Sequence, residues 1–449
     1  MILQLEQEAT VASPQLENQW SRLTRFGFRF IFCYFFLYLS PSAIGSRGVD
    51  ETHVGSYHRI FFDLWQTVVP WVGANILHIK ETLIESPTGS GDQLYDYVWI
   101  VCIFTVALVA ALLWSVLDRK RKNYDQLNQW LRLFLRLYLA GVLMMYGANK
   151  LFPMQFAQIP VARLSDPLGH LSPQGLLWTF MGYSRQYQIF GGMGEMLGGL
   201  LLVVPSFTTL GALISAGVLS NVLLLNLCYD VPRKILTIHL MIICGILILP
   251  DVRRMIDLFL LNRPTKPQPT IPFLKDPLLN RGVLVLQYLF ALLTLIAVVQ
   301  FSADRAKPVV SRLEGPLRGM WMVDQFTSDN VALPPLAAES ERWSRVTFEY
   351  PAFFTVQRVQ GPLQLQVFKL KEGGKTMITS NMDDLSQKGT LTVEQPDPNH
   401  LTMSGQMNGH SVNAVMHRVD LSDPVDFLLT NRGFHWITPA PLWRLDGKK

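Results

Sequence analysis

Gly191-Gly192-Met193-Gly194-Glu195-Met196-Leu197-Gly198-Gly199, running directly into Leu200-Leu201-Leu202-Val203-Val204, decides the fold class. The stretch reads as a lipid-spanning helix with a carboxylate in its glycine-rich half. An acidic side chain in a bilayer core costs roughly 2.5–3.5 kcal/mol on insertion scales, so it is expected to face a partner, a cavity or a proton path. Gly194 and Gly198, four residues apart, would let neighbouring helices approach closely around it.

The rest of the chain agrees with a membrane setting. Of 449 residues, 49% are hydrophobic and only 16% charged. The apolar residues concentrate in residues 24–301, where seven segments approach the ~20 residues needed to cross a bilayer. They are residues 24–43, 97–117, 131–152, 188–206, 208–228, 235–250 and 283–302. Residues 1–20 have no basic residue and no small-residue cleavage site, so they are not read as a cleavable leader. Residues 60–80 are broken by Asp63, Gln66, Pro70 and His78. They read as an interfacial helix on the outer face with Trp65 and Trp71 at headgroup level, or as a re-entrant or packed segment.

Basic residues orient the spans. Arg22 and Arg25, Arg119 to Lys122, and the group from Arg253 to Arg281 all fall on the cytoplasmic side if the N-terminus is cytoplasmic. The C-terminal part is then extracytoplasmic. Asn262 to Pro269 is a proline-rich connector to the last span. The expected organisation is 1–130, N-terminal spans with the interfacial helix; 131–262, a four-helix core; 263–302, linker and last span; and 303–449, a soluble β-domain.

That last domain holds 16 Lys and Arg against 16 Asp and Glu, so the net charge of +5 belongs to the membrane part. Short alternating stretches such as Val346–Tyr350, Leu363–Phe368, Leu391–Glu394 and Leu401–Ser404 are separated by turn signals at Glu372–Lys375, Pro396–Asn399 and Asn408-Gly409. They predict a small antiparallel barrel or sandwich. Gly319-Met320-Trp321 resembles the Gly-x-Trp opening of lipocalin-type barrels, and a plain sandwich fits as well.

On this reading polar residues cluster in the outer half of spans three to six, with the inner halves mostly Leu, Val and Ile. Glu195 would lie about 10 Å below the outer boundary at ~1.5 Å per residue. An outward-opening pocket lined by Lys150, Glu195, Asn221 and His239 is expected, with Asn149, Asn226 and Asp230 at its outer ends. Glu195 and His239 are the candidate proton-transfer groups, and Lys150, Asn149, Asn221, Asn226 and Asp230 the candidate ligand contacts. Each has a plainer alternative: snorkelling for Lys150, helix bridging for Asn221, a satisfied structural histidine at 239. The cysteines Cys33, Cys102, Cys228 and Cys244 lack any CxxC spacing, and His400, His410, His417 and His435 fall on different strands, so no metal centre is read.

Tyr146-Gly147-Ala148-Asn149-Lys150-Leu151-Phe152, then the glycine-rich segment around Glu195 and two further spans, resembles the DoxX-like family of four-helix membrane proteins. The resemblance covers about residues 131–262. It implies a protein of the bacterial cytoplasmic membrane, with relatives in quinone- or thiol-linked redox systems and others acting as receptors or assembly chaperones. Two readings follow: a redox component handling a quinone, with a membrane or periplasmic redox partner, or a non-catalytic protein binding lipid or another small molecule. Neither involves nucleic acid, and no cofactor motif other than a possible quinone site is implied.

Overall fold

The computed structural model describes residues 19–39, 56–84, 91–266, 272–274, 276–310, 314–334, 342–361, 363–371, 374–382, 384, 386–422, 427–431 and 436. Residues 1–18, the end of the first span from 40 to 43, the connector positions 267–271, Glu372-Gly373 and His435 lie outside them. The chain divides into two compact units, one of Met1–Ala148 with Phe190–Gln300, the other of Asn149–Ile189 with Phe301–Lys449.

Ten helices lead the described chain: α1 (Arg22–Tyr38), α2 (Ser56–Asn75), α3 (Leu94–Leu117), α4 (Asp125–Leu151), α5 (Pro173–Tyr183), α6 (Arg185–Val203), α7 (Thr208–Cys228), α8 (Lys234–Ile248), α9 (Val252–Phe259) and α10 (Pro277–Val310). Each of the seven expected segments contains a helix among its described residues. Five are long and apolar enough to cross a membrane: α3, α4, the stretch Pro205–Cys228 containing α7, Lys234–Phe259 containing α8 and α9, and Pro277–Lys307 in α10. α1 is only 17 residues long, and α6 dilutes its apolar content with Arg185, Gln186, Gln188, Glu195 and five glycines.

Those glycines set the packing of the first unit. A Cβ at Gly198 would sit 2.6 Å from Ser215 Oγ of α7, so α6 and α7 meet there at close range. On another side, a Cβ at Gly147 of α4 would sit 2.9 Å from Gly192 O and 3.0 Å from Met196 N, and one at Gly199 3.0 Å from Ala140 O. The helix axes approach until backbone touches backbone, which maximises dispersion contacts where lipid supplies no hydrophobic drive. The α7–α8 turn is tied by Asn226 Nδ2, which donates to Thr237 Oγ1 (2.9 Å). Asp92, with φ +69°, accepts from the Lys234 and Ile235 amides (2.5 and 2.9 Å), satisfying orphan donors at the positive end of α8.

α2 is helical, as read, but its two tryptophans differ. Trp71 is 58% exposed, whereas Trp65 is buried edge-on against Trp99 of α3 (centroids 6.4 Å, 89°). Trp65 therefore packs α2 onto α3 and is not a headgroup anchor; the packed-segment alternative applies to that residue.

The second unit contains β1 (Gly319–Ser328), β2 (Val331–Ala332), β3 (Trp343–Tyr350), β4 (Phe353–Arg358), β5 (Gln364–Leu370), β6 (Thr376–Asn381), β7 (Lys388–Asp397), β8 (His400–Met407) and β9 (His410–Arg418). β1 and the seven strands from β3 to β9 pair antiparallel in chain order, and β1 pairs again with β9 from Trp321↔Arg418 to Ser328↔Val412. The sheet closes on itself, which decides for an eight-stranded barrel over a sandwich; β2 is a two-residue addition to β1. The Asn408-Gly409 signal forms its hairpin with both residues at positive φ (+53° and +85°). Alternate residues such as Trp321, Val346, Phe348, Phe354, Phe368, Met377, Leu391, Met403 and Met416 fill the core. Arg418 lies over the Trp321 ring (4.3 Å to its centroid) and donates to the carbonyls of Pro398, Arg318 and Pro316, tying the first and last strands at one end.

Residues 149–189 belong to this unit, and the turn Val161–Ser165 packs on the barrel. The Val161 amide donates to Glu349 Oε2 (2.7 Å) and Gln357 Nε2 donates to Ser165 O (3.2 Å), covering the outer wall of β3 and β4. α5 begins at Ser172, whose hydroxyl accepts from the Gly175 amide (3.0 Å), with Pro173 in its first turn.

Replacing Gly147 with Leu should overpack the α4–α6 contact and cost about 1–3 kcal/mol. The expected result is a lower melting temperature for the detergent-solubilised protein, whereas Gly217→Ala, which meets open space, leaves it unchanged.

In the barrel, the His410 side chain and then the Ser411 amide hold the Asp329 carboxyl below its ordinary value of 3.8. A depressed carboxyl stabilises the fold above its unfolded pKa and loses that contribution as pH falls through the folded value. The melting temperatures of wild type and Asp329→Asn, followed by tryptophan fluorescence, should differ at about pH 5 and converge in stronger acid.

Candidate functional site

The structure distributes the residues of the expected outer constellation among different settings. Glu195 is buried on α6, 3% exposed, within the glycine contacts of the first unit. His239 is buried on α8 with both ring nitrogens engaged. Nδ1 faces Ile235 O (2.7 Å), and since a carbonyl only accepts, Nδ1 carries the proton. Nε2 then accepts from the Tyr34 hydroxyl (2.6 Å), and Tyr38 stacks on the ring (centroids 3.9 Å, 5°). These contacts lock α8 to α1 and occupy both hydrogen-bonding nitrogens that the ring offers.

Asn221 is exposed, opposite the α7 face that buries Ala212, Ser215, Leu219 and Asn226. Asn226 and Asp230 belong to the α7–α8 turn, where exposed Asp230 accepts from Lys234 Nζ (2.9 Å). Asn149 and Lys150 are buried in the second unit, with Ser302 donating to Asn149 Oδ1 (2.8 Å). Among the described residues no group of three or more His, Cys, Asp or Glu side chains is placed to hold a metal. His400, His410 and His417 each hydrogen-bond an aspartate: Asp397, Asp329 and Asp324.

The first unit instead shows a polar cleft at the end bearing the basic loops. That end is defined by Arg25, which donates to Arg121 O, by Gln126, which donates to Phe273 O (2.9 Å), and by Arg132, which reaches Leu247 O (3.3 Å). The three basic clusters read from the sequence therefore share it. The cleft measures about 1290 Å³ and lies between the start of α4, the α6–α7 turn, the end of α8 with α9, and the start of α10. Leu210, Leu213, Leu258, Phe259 and Leu284 give it apolar walls, and Arg132, Arg136, Asp251 and Arg254 give it charge.

Arg136 anchors this arrangement. Its two terminal nitrogens donate to Thr208 Oγ1 (3.0 Å) and Gln287 Oε1 (2.7 Å). Gln287 is oriented in turn by donating to Val203 O (2.6 Å). Thr208 donates to Pro205 O (2.8 Å), so its oxygen is free to accept from the guanidinium. Asp251 accepts from Arg254 (2.5 Å) and from the Thr209 hydroxyl. Chemically the cleft is an apolar trough with a fixed cationic head.

The comparisons with known proteins add a relative. Over 125 residues the chain is 35% identical to the uncharacterized protein YwoB of Bacillus subtilis (strain 168), a match that takes in 28% of this chain and 79% of that protein. The chain belongs to the family of that protein. No family model matches the chain, and no solved structure matches it.

Sequence reasoning placed the polar residues in the outer half and passed over the inner ones. The signal was present: Arg132 and Arg136 stand four residues apart inside an apolar run, on one face of a helix. Charges at such positions ordinarily face a bundle interior or a cavity. Gln287 inside the last apolar run is the matching acceptor.

Proposed function

We propose that the chain is a multi-pass protein of the bacterial cytoplasmic membrane that binds an amphiphilic ligand in the arginine-headed cleft, without carrying out chemistry on it. The observation that carries this reading is the cleft itself, a large opening between apolar helices with charged groups gathered at one part of its wall. Ligand sites between helices have this composition, mostly apolar with a few fixed polar groups. The shared position of the basic clusters supports a cytoplasmic location for that end. Seven crossings would then make the N-terminus cytoplasmic and the barrel extracytoplasmic.

Native mass spectrometry of the detergent-extracted protein should find a retained ligand of lipid or quinone mass. Leu213→Trp, which narrows the apolar trough, should retain less of it. Retention undiminished in that variant, or no retained ligand in wild type, counts against the reading.

Glu195 supports a second reading, as a proton-transfer group in a quinone-linked redox system of the kind the DoxX-like resemblance implies. A carboxylate this deeply buried in a membrane helix is a functional candidate on cost alone. On this reading Glu195→Gln slows quinone reduction in isolated membranes; an unchanged rate removes it.

A further inference from the structure

The charge balance of the cleft specifies its ligand more closely, on the assumption that the cleft is a binding site. Three guanidiniums, Arg132, Arg136 and Arg254, line it together with one carboxylate, Asp251. That carboxylate is already committed to Arg254 and Thr209. The hydrogen-bond partners of Arg136 are a neutral hydroxyl and a neutral amide, and Arg132 reaches a backbone carbonyl. The protein supplies less negative charge than the cleft holds positive.

Geometry sharpens this. Arg136 is only 6% exposed, yet its Nε is buried without a hydrogen-bond partner, and Nε of Arg254 is in the same state. Buried donors are normally paired, because an unmet donor forfeits its full desolvation cost. Both Nε atoms are enclosed by protein, so they mark two guanidiniums in one cleft whose charge the protein leaves under-compensated, a setting that favours an anionic oxygen nearby. Guanidiniums match a phosphate group in shape and hydrogen-bond geometry, and Arg136 is held in place beforehand by Thr208 and Gln287. The apolar walls extend the site well beyond a phosphate, which needs a small part of about 1290 Å³. Basic pockets between membrane helices on the cytoplasmic side take anionic headgroups in this way.

We infer that the cleft binds the phosphate of an anionic membrane lipid, with Arg136 as its central ligand, Arg132 and Arg254 beside it, and acyl chain along Leu210, Leu213 and Leu284.

The test uses the full chain, delipidated in neutral detergent and followed by thermal stability during titration with phosphatidylglycerol, with diacylglycerol of the same chains, and with inorganic phosphate. Phosphatidylglycerol should raise the melting temperature saturably, and the other two should not at equal concentration. Arg136→Gln should weaken phosphatidylglycerol binding by about tenfold or more. Should that variant fail to fold, Arg254→Gln, at a half-exposed position, carries the same expectation of weaker binding. Equal response to diacylglycerol, with both arginine variants binding as wild type, overturns the phosphate assignment while leaving an amphiphile site standing. An equal response to inorganic phosphate overturns the lipid assignment. No response to any of the three removes both this inference and the reading beneath it.

Discussion

The first unit depends on backbone approaching backbone. At Gly147, Gly198 and Gly199 there is no room for a side chain, because the atoms opposite are carbonyls, amides or the Cα and hydroxyl of Ser215. In a bilayer, apolar helices gain nothing from hydrophobicity by associating, so contact area and polar bridging must hold them. Glycine on α6 gives the contact area on two sides at once, toward α4 and toward α7. Two polar features follow from that arrangement: Glu195 lies between the two glycine contacts in sequence, and the α6–α7 turn is brought to the head of α4, where Thr208 meets Arg136.

The charged groups show a second regularity. Arg29 is buried and donates to the Tyr124 hydroxyl (2.9 Å), Ser115 Oγ (2.8 Å) and Asp118 O (2.8 Å), so each of its three guanidinium nitrogens bonds within the protein. Arg136 is equally buried but leaves one donor unmet. The contrast is between a guanidinium whose three nitrogens all bond within the protein and one, lining a cleft, whose third nitrogen does not.

Much of this architecture was legible in the sequence. The apolar runs are helical in their described residues, and five are long and apolar enough to cross a membrane, where a chain must satisfy its own backbone. The barrel announced itself through alternation and through Asn408-Gly409, whose positive φ values only such residues accept readily. Closure was not legible, because the pairing of β1 with β9 joins residues far apart in the chain. The site was harder. Glu195 was visible as an anomaly of composition, but the setting of His239 depends on Tyr34 and Tyr38, about two hundred residues earlier on α1. Trp65 read as an anchor because amphipathic aromatics suit an interface, and Trp99 claimed it instead. Arg132 and Arg136 were overlooked because a run's average hydrophobicity conceals which face its few charges occupy.

Closure of the barrel also constrains how the protein is made. β1 pairs at once with β3 and with β9, so half of its ladder waits until residues near Arg418 exist. During synthesis the early strands would present an open hydrogen-bonding edge, a template for mispairing. Non-local closure of this kind is slow, since the loop must be ordered before the final ladder rewards it. The Trp321–Arg418 contact, made by the first strand and the last residue of the last one, can form only when the whole sheet is in place. It works as a completion latch, and maturation of this domain is timed by its C-terminal strand.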